Sequence, residues 1–214
     1  MKNRKLRIIF GHLISILPTS KLRCFLYRTI FDYKIYQSTI GWRTVIVVHC
    51  AKLIECQIRN NNRFIGPMNI IINNNSFIGS GNTFDCGWWT IDNQLENMNY
   101  ARNLLIEENT HIGTGHYVDV VGSFMLSKNS WIAGRGSQFW THGAGVHDRN
   151  IFIGENCYVG SAVRFAPGSS IGNNSIVGLG SVITKKFNSE NVIIAGQPAK
   201  IIRENYNWKT QENI

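Results

Sequence analysis

The chain has 214 residues, 43% of them apolar, which excludes a disordered tail and a minimal disulfide scaffold. Lys and Arg number 22 against 13 Asp and Glu, so a net +9 sits on a chain in which only 16% of residues are charged. Twenty glycines and 24 asparagines, residues that tolerate left-handed backbone, predict frequent turns and exclude an all-helical bundle. Cys24, Cys50, Cys56, Cys86 and Cys157 are odd in number and form no C-x-x-C pair. They read as reduced thiols, which sets the expectation of a cytoplasmic protein.

Residues 1–39 predict a basic, amphipathic, helical arm. Residues 1–43 hold nine Lys and Arg against one acid, Asp32, and so carry +8 of the total +9. Leu6, Ile9, Phe10, Leu13 and Leu17 recur at helical spacing, as do Leu22, Phe25, Leu26 and Ile30 after Pro18, which divides the arm into two helices. Two roles suit such an arm: peripheral contact with an anionic membrane on its cytoplasmic face, or a cap on the following domain. The apolar run Ile8–Leu17 is half the length of about 20 residues that a spanning helix needs. Pro18-Thr19-Ser20-Lys21 offers no small-x-small cleavage site, so secretion is not expected. No recognised module accompanies the basic residues, so nucleic acid is not an expected partner.

Residues 40–184 carry an internal period of six. Ile153, Val159, Phe165, Ile171, Val177 and Ile183 follow one another without a slip, most with a small residue next (Gly154, Gly160, Ala166, Gly172, Gly178). A short strand with one inward residue, then a Gly or Asn corner, repeated three times, closes a triangular coil. Stacked coils bury a core that no single coil can bury. The period returns at Ile106, Ile112 and Val118, at Leu126 and Ile132, and less regularly at Ile72, Ile78 and Phe84. Lys52 interrupts it among Ile40, Ile46 and Ile58. Residues 86–103 and 139–150 escape the period and predict loops leaving the coil, where a rigid solenoid places its chemistry. The fold class expected is an all-β solenoid with a helical arm in front and a short tail, residues 185–214, behind.

The run from Ile153 to Arg203, closing V-G-L-G-S-V-I-T-K-K and A-G-Q-P-A-K-I-I-R, resembles the hexapeptide-repeat acyltransferases, whose fold is a left-handed parallel β-helix. The likeness extends over about residues 104–204. It is narrower toward sugar O-acetyltransferases of surface-polysaccharide pathways and the galactoside and maltose acetyltransferases. The left hand comes from this resemblance alone, because general crossover rules favour the right.

His142, in F-W-T-H-G-A-G-V-H-D, stands where the family keeps its catalytic base. Taking a proton from a sugar hydroxyl near neutral pH while a thioester is attacked suits imidazole. Asp119 aligns with an acceptor-holding asparagine of the galactoside enzymes, and either orients His142, binds a hydroxyl or forms a turn. The resemblance further implies that the backbone amide of Ser161 holds the oxyanion. By the same resemblance Tyr158, Gly160, Gly180 and Ser181 line the donor, and Lys185, Lys200 and Arg203 meet its phosphates. Asp85, Trp88, Trp140 and His147 fall to the acceptor side, with adjacent Trp88 and Trp89 as a stacking face or as a loop anchor.

The function expected is O-acetyl transfer, or transfer of a longer acyl group, from acyl-CoA (acetyl-CoA in the simplest case) to a sugar or glycan hydroxyl by a homotrimer without bound metal. Three alternatives stand beside it: N-acetylation of an amino sugar, a γ-carbonic-anhydrase-like zinc lyase suggested by the H-x4-H spacings His111/His116 and His142/His147, and a β-helix binding module without activity. Nothing in the loop compositions tells one hexose from another, or a hydroxyl from an amine.

Overall fold

In the computed structural model, which describes residues 3–211, the chain winds into three sheets of eight, nine and seven strands. Each turn of the coil adds one parallel strand to each sheet, here called A, B and C. The exception is the last hairpin, Ile193–Gly196 with Ala199–Arg203, which is antiparallel. The inward residues stack in columns. On sheet C, Ile46, Phe64, Phe84, Val118, Phe139, Phe165 and Ile183 are all fully buried. Their register places Phe64 over Phe84 at 4.4 Å and Phe139 over Phe165 at 5.1 Å between ring centroids. Each phenyl closes the same triangular section above and below its neighbours, so the period of six is the signature of this packing.

The asparagine content is explained at the corner between sheets A and B. Asn75, Asn109, Asn129, Asn156, Asn174 and Asn191 stand there one above another, each at a φ of +54 to +57°. Asparagine tolerates this left-handed region better than other residues with a Cβ. Each backbone N–H of that column donates to a carbonyl of the preceding turn, as Asn109 does to Asn74 at 2.9 Å.

The coil is longer than the sequence period indicates. Its first strand is Lys34–Tyr36 rather than a segment beginning at 40, since it pairs in parallel with Lys52–Ile54 of the next turn, where Lys52 points outward beside inward Leu53 and breaks nothing. Parallel pairing continues past 184 to Ile193 and Ile194. Phe139 belongs to the core stack, so the second loop begins at Trp140. Of the expected arm and tail, residues 1–2 and 212–214 lie outside the described residues.

Two helices, α1 (Arg4–Ser15) and α2 (Ser20–Phe31), cap the open end of the coil. Asn3 and Thr19 accept hydrogen bonds from their first amides, and Asp32 at φ +59° ends α2. The cap is tied by polar side chains that serve the first turns. The Tyr27 hydroxyl accepts the Ile46 N–H at 3.0 Å, and the Tyr33 hydroxyl accepts the Val48 N–H at 2.8 Å. Buried Arg23 donates to the carbonyls of Ile40 and Leu17. Gly11 lets α1 lie against the strand Val45–Val47, since a Cβ there would collide with Val47. Capping is therefore one role of the arm. None of the described helices is long and apolar enough to cross a membrane.

Candidate active site

Both irregular loops leave the coil at one corner, where sheet C passes to sheet A. Residues 86–102 bridge Thr83–Asp85 and Asn103–Ile106, and residues 140–150 bridge Gln138–Phe139 and Ile151–Ile153. On the turn between them the chain goes directly from Tyr117–Asp119 to Ser123–Leu126. Asp119 is thus covered by the second loop and flanked by the first. Its side chain is 3% exposed, and one oxygen, Oδ2, accepts the Thr141 N–H at 2.8 Å, the Thr141 hydroxyl at 2.6 Å and His142 Nδ1 at 2.8 Å. Because a carboxylate only accepts, Nδ1 carries the ring proton and Nε2 is left with a free lone pair. The imidazole is 40% exposed, oriented from below and open above.

Trp89 approaches the His142 ring edge-on at 5.8 Å, Tyr100 meets Trp89 at 5.2 Å, and the Arg149 guanidinium lies 4.9 Å over Tyr100. With His147 these residues wall a cavity of about 100 Å³. Trp88, expected on the acceptor side, is the anchor of its loop instead: it packs on the core under the Arg4 guanidinium at 4.7 Å. The adjacent Trp89 faces the histidine. Trp140 leans on Tyr117 at 4.7 Å, outside that cavity. Asp85 is the register partner of Asp119 one turn earlier. Burial raises its pKa and Asp119 adds to the rise, while Arg63 opposes it. The same two carboxylates, after burial, push the Tyr117 phenol up to about 12. Sequence reasoning named Trp89 together with Trp88 and missed Tyr100 and Arg149 as cavity residues. Their only signal was membership of the two loops.

The four histidines with H-x4-H spacing do not converge. His111 stacks outward between Phe77 and Trp131 at 4.8 and 5.6 Å, and His116 is buried with Nδ1 accepting the Ser137 N–H at 3.1 Å. Among the described residues no group of three His, Cys, Asp or Glu is placed to hold a metal. Burial lowers the His116 pKa from 6.5 to about 4. Between those two values the unfolded chain binds a proton that the folded chain refuses, so stability is intact above about pH 6.5 and falls toward about pH 4. Thermal melting across this range should show the loss, and His116→Asn, which keeps an acceptor for Ser137, should flatten it.

The residues expected to hold the donor gather mostly at a different corner, where sheet B passes to sheet C. Ser161 and Ala162, the latter at φ +56°, make its turn, and Gly180 stacks on Ser161 with its N–H donating to the Ser161 carbonyl at 2.9 Å. One turn earlier Gly134 must lack a side chain, since a Cβ there would collide with the Ser161 hydroxyl. Gly160 is buried in close contact with Leu179. Ser181 is buried too, and its hydroxyl donates to the Gly178 carbonyl at 2.6 Å, so that side chain braces the corner. Tyr158 lies on sheet B between Trp131 at 6.4 Å and Trp208 at 5.7 Å. Lys200 and Arg203 are exposed on the final strand, Arg203 over Tyr206 at 4.4 Å. Lys185 stands apart from these residues, at the His142 corner two turns on. Ser161 precedes a sheet C strand and His142 follows the strand beside it, so the two lie at opposite ends of sheet C.

A coil of six-residue sides carries a histidine in an inserted loop bonded to a strand aspartate of the preceding turn, and known proteins share parts of this arrangement in sequence and fold. Residues 150–185 match the family described as bacterial transferase hexapeptide (six repeats). Over 54 residues the chain is 48% identical to galactoside O-acetyltransferase of Escherichia coli (strain K12), covering 25% of this chain and 26% of that one. Over 124 residues it is 27% identical to WbbJ of the same organism, whose name carries lipopolysaccharide biosynthesis O-acetyl transfer, covering 52% and 62%. The crystallographic structure of the polysialic acid O-acetyltransferase OatWY matches with a TM-score of 0.50 at 22% identity, over 82% of this chain and 83% of that one, which is a likeness of fold. The chain thus spans about a quarter of the galactoside enzyme and under two thirds of WbbJ. Residues 150–185 carry the hexapeptide repeat of that family model, and the parallel sheets fit the left-handed β-helix that the resemblance implies.

Proposed function

We propose that this protein is an acyl-CoA-dependent O-acetyltransferase acting on a sugar hydroxyl in surface-polysaccharide biosynthesis at the cytoplasmic face. The observation that carries the reading is the 2.8 Å bond from His142 Nδ1 to buried Asp119, which leaves Nε2 free beside an aromatic cavity. Nε2 takes the hydroxyl proton as the sugar oxygen attacks the thioester carbonyl. A C–O bond forms, and the negative charge on the carbonyl oxygen is held by the Ser161 N–H. The C–S bond then breaks, and the thiolate leaves with the proton from the imidazolium. Asp119 stabilises the imidazolium that exists between these steps. Lys200 and Arg203 meet the donor phosphates. The names of the relatives support oxygen over nitrogen as the acceptor atom.

Since His142 and Ser161 occupy different corners, the reaction needs His142 of one copy beside Ser161 of the next, which a homotrimer supplies. Left-handed Ala162 makes Ser161 the first central position of its turn, where proline is favoured, so Ser161→Pro is the substitution that removes the N–H. Alone, Ser161→Pro and His142→Ala should each be nearly inactive. Co-assembled in equal amounts, they should recover about a quarter of wild-type turnover, the share of interfaces that receive both intact groups by random mixing. No recovery from confirmed mixed trimers would place the whole site within one chain and overturn this assembly.

A further inference from the structure

The cap has a second apolar face that the fold does not use. On α1 and its C-cap Ile16, Gly11, Ile14 and Ser15 are buried, whereas Leu6, Ile9, Phe10, Leu13 and Ile16, at i, i+3, i+4, i+7 and i+10, are 38 to 56% exposed. On α2, Tyr27 and Phe31 are buried while Leu22 and Phe25 are exposed at 38 and 52%. Exposed Lys5, Lys21 and Arg28 accompany these apolar residues. Solvated helix faces do not ordinarily gather seven large apolar side chains, so the patch marks a docking surface.

We propose that this face seats the protein on a bilayer containing anionic lipid, the apolar side chains entering the headgroup boundary and the Lys and Arg side chains meeting lipid phosphates. Charge decides against a second copy as the occupant. Lys5, Lys21 and Arg28 are exposed on the same two helices as the apolar side chains, so two such faces would set like charges against each other, whereas an anionic bilayer complements both properties at once. The Arg4 guanidinium over Trp88 ties α1 to the loop of residues 86–102. A helix resting on lipid therefore carries that loop, and with it the wall of the His142 cavity, to the membrane surface. This inference stands independently of the transfer reaction.

The test is co-flotation of the full chain with vesicles of phosphatidylcholine alone or of equal parts phosphatidylcholine and phosphatidylglycerol. Deleting the arm is unsuitable, because Ile14, Tyr27 and Phe31 belong to the core. The protein should float with the anionic vesicles and stay behind with the neutral ones. Raising salt from about 0.15 M to about 1 M, which shortens the Debye length from about 8 Å to about 3 Å, should release it. Leu13→Glu with Phe25→Glu should cut partitioning by about tenfold or more, and Lys5→Glu with Lys21→Glu and Arg28→Glu should do the same. All five positions are exposed, so both variants should melt with the wild type. Failure of the wild type to float, or equal flotation of wild type and both variants, would overturn the proposal. So would a change of oligomeric state in Leu13→Glu with Phe25→Glu, which would assign the face to another copy of the chain.

Discussion

His142→Ala should lower kcat by about 10²–10⁴-fold, the range that a positioned general base supplies, with CoA affinity and assembly unchanged. The reasoning is geometric. His142 lies outside every inward column and is 40% exposed, so truncation opens no core cavity. The turn that holds Ser161 and Gly180 is at the other end of sheet C and makes none of its hydrogen bonds to His142. A loss confined to turnover is what removal of a proton acceptor predicts. His147→Ala, on the exposed wall of the same cavity, should cost under about tenfold, since it neither meets Asp119 nor takes the proton. Isothermal titration with CoA beside steady-state kinetics separates the two quantities. Near-normal turnover in His142→Ala would reject the mechanism while leaving the fold untouched.

Asp119→Ala should fail in two ways at once. Thr141 is fully buried and its N–H donates to Asp119 Oδ2, while its hydroxyl also reaches the Asp119 carbonyl at 3.0 Å, so truncation strands the N–H at a cost of about 1–3 kcal/mol and lowers the melting temperature. The imidazole also loses the group that fixes its ring and faces its positive charge. Turnover should fall by about 10²-fold or more, by analogy with the aspartate of hydrolase triads. Asp119→Asn separates these effects. Its amide oxygen can accept from Thr141 and restore most of the stability, but it carries no charge to oppose an imidazolium, so turnover should stay low. If Asp119→Asn recovers stability and turnover in equal proportion, the residue serves the loop alone.

His142 and Asp119 were singled out before folding by a family resemblance, with local signals beside it. His142 stood out as a titratable residue in a segment that breaks a strict period, and Asp119 as a carboxylate directly after an inward valine. Their contact was not local. They are 23 residues apart and meet because parallel stacking sets residues of successive turns side by side, a relation that depends on the two-residue insertion ahead of Leu126. The two tryptophans show the same limit. Neighbours in sequence point to different sides of a backbone, and which of Trp88 and Trp89 anchors the loop follows from where α1 brings Arg4.

By itself the sequence determined the coil. A core made of stacked triangles needs one inward side chain per side and a residue tolerant of positive φ at the corners. Both requirements repeat along the chain, so they are written as period and composition. Tertiary structure alone decided that both loops leave from one corner, that Ser161 and His142 stand at opposite ends of sheet C, and that the cap keeps an apolar face toward solvent. These depend on how many residues lie between distant turns and on which of two apolar helix faces meets the core. Neither leaves a periodic trace, because a helix with apolar residues on two sides reads the same whichever side is buried.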